Sequence, residues 1–156
     1  MPTLLTTPRL VAALALCGAS LAGATRASAQ QPAVNASDSA DVRAVLETYF
    51  RGQATGDGSH MRPIFQPSAN LYWIRDGKYA ERPSAEWMAS YTGKPAADEA
   101  ERKRRIASMD ITGNAAIAKL VSDYPTAVVT DYMSLLKTEG GWKVVAKTFV
   151  VQPRAR

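Results

Sequence analysis

The C-terminal half of the chain is a succession of extended segments punctuated by turn signals, and this limits the fold more than any other feature. Arg104 to Ile111 ends at Thr112-Gly113-Asn114, and Ala115 to Tyr124 ends at Pro125. Val128 to Lys137 is joined to Trp142 to Val151 through Glu139-Gly140-Gly141. The segments are rich in β-branched and apolar residues, and connections this short join antiparallel neighbours in a meander. With Glu139-Gly140 at the apex, Trp142 faces Lys137, Val144 faces Leu135, Ala146 faces Met133 and Thr148 faces Asp131. Tyr132, Ser134, Leu136, Val145, Lys147 and Phe149 then share the other face, because side chains alternate along a strand.

Upstream of these segments the periodicity is helical. Asp38 or Ser39 can cap a helix on which Val42, Val45, Leu46, Tyr49 and Phe50 recur as one apolar stripe, ended by Gly52, Gly56 and Gly58. Ser59 opens a short second helix carrying Met61, Ile64 and Phe65 up to Pro67. Leu71 to Ile74 is an extended segment followed by Asp76-Gly77, the pair that favours a tight hairpin. A short third helix follows Pro83, with Trp87, Met88 and Tyr91 on one face before Gly93 and Pro95. Helices first and an antiparallel sheet afterwards specify an α+β domain, a curved sheet whose concave face the helices cover.

The N-terminus reads differently. Arg9 precedes the apolar run Leu10 to Leu16, and Ala27-Ser28-Ala29 supplies the small residues of a cleavage site. The run is shorter than the roughly 20 residues needed to span a bilayer. An export signal is expected over residues 1–29, a flexible arm over 30–37 and a single domain over 38–152, with no membrane association once the signal is removed. Cutting after Ala29 leaves 127 residues and lowers the net charge from +5 to +3. Cys17, the only cysteine, leaves with the signal, so no disulfide or thiol chemistry is expected. The alternative, a lipoprotein cleaved before Cys17, has Leu16 where a small residue is wanted.

These residues narrow the chemistry. His60 is the only histidine, so no metal site and no cofactor are expected. The run Glu99-Ala100-Glu101-Arg102-Lys103-Arg104-Arg105 is diluted by its own acids and reads as a solvated loop entering a strand, not as a nucleic-acid contact. Asp131, placed mid-strand among Val129, Tyr132 and Met133, is the carboxylate best situated for either a structural hydrogen bond or general-base work. Lys147 is equally placed to bind an anion or to extend its stem toward water. Tyr49, Trp73, Trp87 and Tyr91 supply aromatic surface of the kind that lines ligand pockets, and serve as well as core.

Several segments carry a resemblance. Leu46-Glu47-Thr48-Tyr49-Phe50-Arg51-Gly52, Gly56-Asp57, Phe65-Gln66-Pro67-Ser68-Ala69-Asn70-Leu71, Asp131 to Lys137 and Gly141-Trp142-Lys143-Val144-Val145-Ala146-Lys147-Thr148-Phe149 stand out. Over about residues 40 to 150 the chain resembles the nuclear transport factor 2-like (NTF2-like, SnoaL-like) superfamily, in the branch designated putative lumazine-binding. The resemblance implies a cone-shaped α+β fold open at one end, commonly a homodimer. The superfamily also holds ketosteroid isomerases, polyketide cyclases and dehydratases. Aligned on Gly56-Asp57, Tyr49 takes the place of the isomerases' oxyanion-hole tyrosine. Counting onward from Phe65, their general-base aspartate falls at Trp73, which cannot accept a proton from carbon.

The expectation is therefore an exported small-molecule-binding domain. Its pocket lies between the first helix and the sheet, lined by some of Tyr49, Trp73, Trp87, Tyr91, Asp131 and Lys147, and suits an apolar or planar ligand. The alternatives are a cofactor-free cyclase, dehydratase or isomerase using Asp131 and Tyr49, and a non-catalytic dimeric interaction domain. A buried Tyr49–Asp131 pair within one cavity favours the enzyme, an apolar cavity without it favours binding, and a cavity filled by side chains favours interaction alone.

Overall fold

The structure, a computed structural model, describes residues 36–155. The expected export segment, Cys17 and residues 30–35 of the expected arm lie outside the described residues. The elements run α1 (Ala36–Thr55), two 3-10 turns (Gly58–His60 and Arg62–Ile64), β1 (Phe65–Arg75), β2 (Lys78–Pro83), α2 (Ser84–Ala89) and a 3-10 turn (Glu99–Glu101). Four long strands complete the order: β3 (Lys103–Thr112), β4 (Ala115–Tyr124), β5 (Ala127–Thr138) and β6 (Gly141–Pro153). They form one six-stranded sheet in the order β2-β1-β6-β5-β4-β3. The α+β class and curved sheet follow the sequence reading. The sheet does not close, so β2 and β3 are its edges. All pairings are antiparallel except β1 with β6, which join the two ends of the domain in parallel.

Every hairpin turns where a signal stands. Asp76 and Gly77, both with positive φ (50° and 72°), occupy the tight turn between Arg75 and Lys78. That left-handed pair matches the twist of the flanking strands. Gly113-Asn114, Pro125-Thr126 and Glu139-Gly140 fill the other two-residue connections.

The register of the last hairpin departs from expectation partway along. Trp142 faces Lys137 and Val144 faces Leu135 as read, but Ala146 then faces Ser134 and Phe149 faces Asp131. Val145 is the extra residue of a β-bulge. A bulge exchanges the two faces for the remainder of its strand. Lys147 and Phe149 are thereby moved from the face opposite Asp131 to the same face as Asp131.

The helices also differ in extent. α1 begins at Ala36, so Ala36 and Ser37 of the expected arm are helical. It passes through Gly52, where a side chain would collide with Met61, and ends at Thr55. The second expected helix is two 3-10 turns, and Pro67 lies within β1; the third is a six-residue α2. Val42, Leu46 and Tyr49 of α1 are fully buried against Leu120, Met133, Leu135 and Val144 of the sheet. Burying each such apolar side chain contributes about 1.5–3 kcal/mol relative to exposure. None of the described helices is long and apolar enough to cross a membrane.

One polar junction fastens the start of α1 to the end of the last hairpin. Asp38 Oδ1 accepts hydrogen bonds from Lys137 Nζ at 2.6 Å and from Trp142 Nε1 at 3.1 Å. The Lys137 hydrogen bond, then the Trp142 indole, holds the Asp38 carboxyl below the usual carboxylate range. A carboxyl whose pKa falls on folding stabilises the native state above its unfolded pKa, and that contribution disappears as pH drops through the folded value. The difference in urea midpoint between wild type and Asp38→Asn is expected to be largest near neutral pH and to vanish at strongly acidic pH.

Candidate functional site

The bulge sets up the site. Tyr49 descends from α1, Asp131 rises from the middle of β5, and Lys147 arrives from β6 beyond Val145. Asp131 and Lys147 are 1% and 4% exposed and Tyr49 is fully buried, so three polar groups meet inside the domain. The Tyr49 hydroxyl donates to Asp131 Oδ2 at 2.9 Å. It accepts from Lys147 Nζ at 3.1 Å and from Gln53 Nε2 at 2.9 Å. One proton given and two accepted exhaust a phenol's capacity. Lys147 Nζ also lies 2.9 Å from Asp131 Oδ1 as an ion pair.

Burial, then the Asp131 charge, pushes the Tyr49 phenol well above its ordinary pKa, so it stays protonated at neutral pH. Burial also pulls the Lys147 ammonium down, while the neighbouring Asp131 opposes that shift. The ammonium sits among rings, 4.7 Å from the centroids of both Trp87 and Phe149 and 5.5 Å from that of Tyr49. Cation–π attraction partly replaces its lost hydration.

Above this cluster lies a pocket of about 680 Å³, within the range of small-molecule sites. Trp73, Trp87, Tyr91, Asp131 and Lys147 line it; Tyr49 stands behind Asp131 and Lys147 and is not on its surface. Trp73 packs on Phe149 with ring centroids 5.3 Å apart, and Trp87 meets Tyr91 edge-on at 5.3 Å. Burial raises the Tyr91 phenol as well. The pocket thus combines aromatic walls with a floor whose ionisable groups are bonded to one another. It is bounded by α1 through Gln53, by α2 and by the inner face of the sheet.

The lining extends beyond the aromatic residues, Asp131 and Lys147. Gln53 was legible, because it lies one helical turn beyond Tyr49 on the same face. Arg75, Arg82 and Arg102 also line the pocket. The charged run enters a strand at Lys103 as read, with Glu101, Lys103 and Arg105 exposed, but it is also cross-linked: Arg104 grips Glu99 with both Nη atoms, at 2.5 and 2.9 Å, and Arg102 pairs with Asp98 at 2.7 Å. Both guanidiniums lie near the Tyr124 ring, at 4.3 Å for Arg102 and 5.4 Å for Arg104. His60 is in a 3-10 turn and does not line the pocket.

An open α+β cone with a pocket between its long helix and its sheet is the architecture of NTF2-like proteins. The family described as "Putative lumazine-binding" matches residues 37–150, and the chain belongs to it. Among solved structures, an NTF2-like protein of unknown function from Shewanella baltica is 30% identical. That likeness covers 76% of this chain and 96% of the other, with a TM-score of 0.68. An NTF2-like protein of unknown function from Methylobacillus flagellatus is 25% identical over 79% of this chain and 97% of its own, with a TM-score of 0.66. The CaMKII hub of S. rosetta, 14% identical over 72% of this chain and 95% of its own (TM-score 0.56), shares the fold alone. No curated protein matches the sequence.

Proposed function

We propose that this chain is an exported small-molecule-binding domain whose pocket holds a planar or apolar ligand against Trp73, Trp87 and Phe149. The observation that carries the reading is that Tyr49, Asp131 and Lys147 are paired with one another beneath aromatic walls, with Tyr49 itself off the pocket surface. Asp131 gives one oxygen to a phenol and the other to an ammonium, and Tyr49 has no proton left for a ligand oxygen. A general base must turn a lone pair toward the substrate, and here the two Asp131 oxygens are turned toward the Tyr49 hydroxyl and the Lys147 ammonium. This floor instead provides a fixed polar surface, and ring stacking above it provides the affinity.

Fluorescence titration with pterins, flavins, steroids and polyketides tests the proposal. Saturable quenching by at least one planar ligand is expected. Trp73→Ala should weaken that ligand by about 1–3 kcal/mol while leaving the circular dichroism unchanged, the magnitude of a lost aromatic contact. No quenching by any of them contradicts the reading.

The 2.9 Å hydrogen bond from the buried Tyr49 to Asp131, which itself lines the pocket, supports a second reading, a cofactor-free cyclase, dehydratase or isomerase. Turnover of any of these compounds that disappears in Asp131→Asn would establish it. Export and homodimerisation complete the proposal. Residues 1–29 support the first, and the exposed Ile117, Tyr132 and Leu136, which share the outer face of the sheet, support the second. Gln30 as the first residue of the mature protein and sedimentation at twice the monomer mass check the two. A retained signal or a monomer contradicts them.

A further inference from the structure

We infer that the pocket selects a planar ring carrying a carboxylate, with the ring against Trp73 and Phe149 and the carboxylate at the guanidinium of Arg75. The inference rests on the ligand-binding reading and adds the charge and shape of the ligand.

Its first support is the balance of charge in the lining. Four cations, Arg75, Arg82, Arg102 and Lys147, face two carboxylates, Asp76 and Asp131. Asp131 is already engaged by Tyr49 and Lys147, and Asp76 sits at the apex of the exposed β1–β2 turn. The interior pair cancels itself and Arg102 is paired with Asp98, so the field at the mouth is that of Arg75 and Arg82.

The second support is how the arginines are held. Arg75 lies with its guanidinium carbon 5.6 Å from the Trp73 ring centroid and has no carboxylate ion pair among the described residues. Arg82 gives Nη2 to the Glu86 carbonyl at 2.9 Å, leaving Nε and Nη1. Arg102 gives Nε to Asp98 and lies over Tyr124, leaving both Nη groups. Each fork is steadied by a ring, a carbonyl or a carboxylate, yet keeps donors in reserve. A planar fork with two parallel N–H groups matches a carboxylate in a way a lysine does not.

The third support is the chain path. Trp73 and Arg75 are two residues apart on β1 and therefore on one face, so the ring wall and the cation beside it belong to a single strand. An aromatic ring bearing a carboxylate presents the same two parts together.

Matched pairs test this. Wild-type protein is titrated with 2-naphthoate and 2-naphthamide, which differ in charge and little in shape, and with lumazine and its 6-carboxylate. Each acid is expected to bind about 10-fold tighter than its uncharged partner at low ionic strength, as for one charge-assisted contact. That ratio should shrink to about 2-fold or less in Arg75→Gln and in about 0.5 M salt. Arg75 is exposed, so the variant is expected to fold, and its circular dichroism verifies that. Equal binding of acid and neutral partner, or an acid preference that survives Arg75→Gln, overturns the inference and leaves the pocket reading standing. Failure of both members of both pairs to bind overturns the inference, and the pocket reading then depends on the remaining planar ligands. Acid binding indifferent to Trp73→Ala places the site elsewhere and overturns it too.

Discussion

Asp131→Ala is expected to destabilise the domain by about 3–5 kcal/mol, because it strands the Lys147 ammonium in a site only 4% exposed. The loss is one of desolvation more than of attraction. A buried ion pair contributes little beyond a well-packed apolar pair, but either partner alone is an uncompensated buried charge. The double replacement Asp131→Leu with Lys147→Met is accordingly expected to recover most of the stability. The pH dependence has a definite sign. Asp131 is what opposes the downward pull of burial on Lys147, so without it the folded pKa of Lys147 falls further below the unfolded value. Between those two values the folded state binds fewer protons, so the stability of Asp131→Ala should rise with pH across that window. Urea denaturation at pH 7 and pH 9 measures both effects. A loss below about 1 kcal/mol at pH 7 would mean that water reaches the pair and that the floor of the pocket is not sealed.

Gly56→Ala is expected to cost about 2–4 kcal/mol, from strain at a backbone conformation that L side chains rarely adopt and from a steric clash. Gly56 has φ +64°, and an added Cβ would collide with the carbonyl of Lys94. Its own carbonyl accepts from Gly93 N at 2.8 Å. Asp57 follows with its side chain on Ser59 N at 2.8 Å, and Gly58 packs against the backbone of Met88. This short stretch holds the 88–94 segment, and with it Trp87 and Tyr91, against the end of α1. The substitution is therefore expected to lower the thermal midpoint and also to weaken ligand binding in the surviving fold. A Gly56→Ala protein with wild-type stability would show that the contact between these two segments is loose.

Most of the fold was legible because its determinants are local. The stripe from Val42 to Phe50 needs only the helical period, and Asp76-Gly77 and Glu139-Gly140 need only turn chemistry. The parallel pairing of β1 with β6 joins residues some 75 positions apart, such as Leu71 with Lys147, and no local signal announces it. The site was harder to read than the fold for one identifiable reason. Val144-Val145-Ala146 is a sequence suited to an unbroken strand, so nothing in it marks Val145 as a bulge. That single residue decides whether Lys147 shares a face with Asp131. Trp73, Trp87, Tyr91, Asp131 and Lys147 were all named from residue type and position, and the structure gathers them. Arg75, Arg82 and Arg102 were passed over because a cation in a turn, beside a helix or in a mixed-charge run has the appearance of solvated surface.

The three tryptophans provide the most direct test of the pocket itself. Trp73 and Trp87 line it, whereas Trp142 does not, being 4% exposed and hydrogen-bonded to Asp38 at the other junction of the domain. Their indole N–H signals are therefore two reporters and one internal control in a ¹⁵N-correlated NMR spectrum. On titration with a saturating planar ligand, the Trp73 and Trp87 signals should shift progressively and the Trp142 signal should stay in place. A ligand that binds while Trp73 and Trp87 remain unmoved, or one that moves Trp142 alone, would contradict the assignment of this pocket as the binding site.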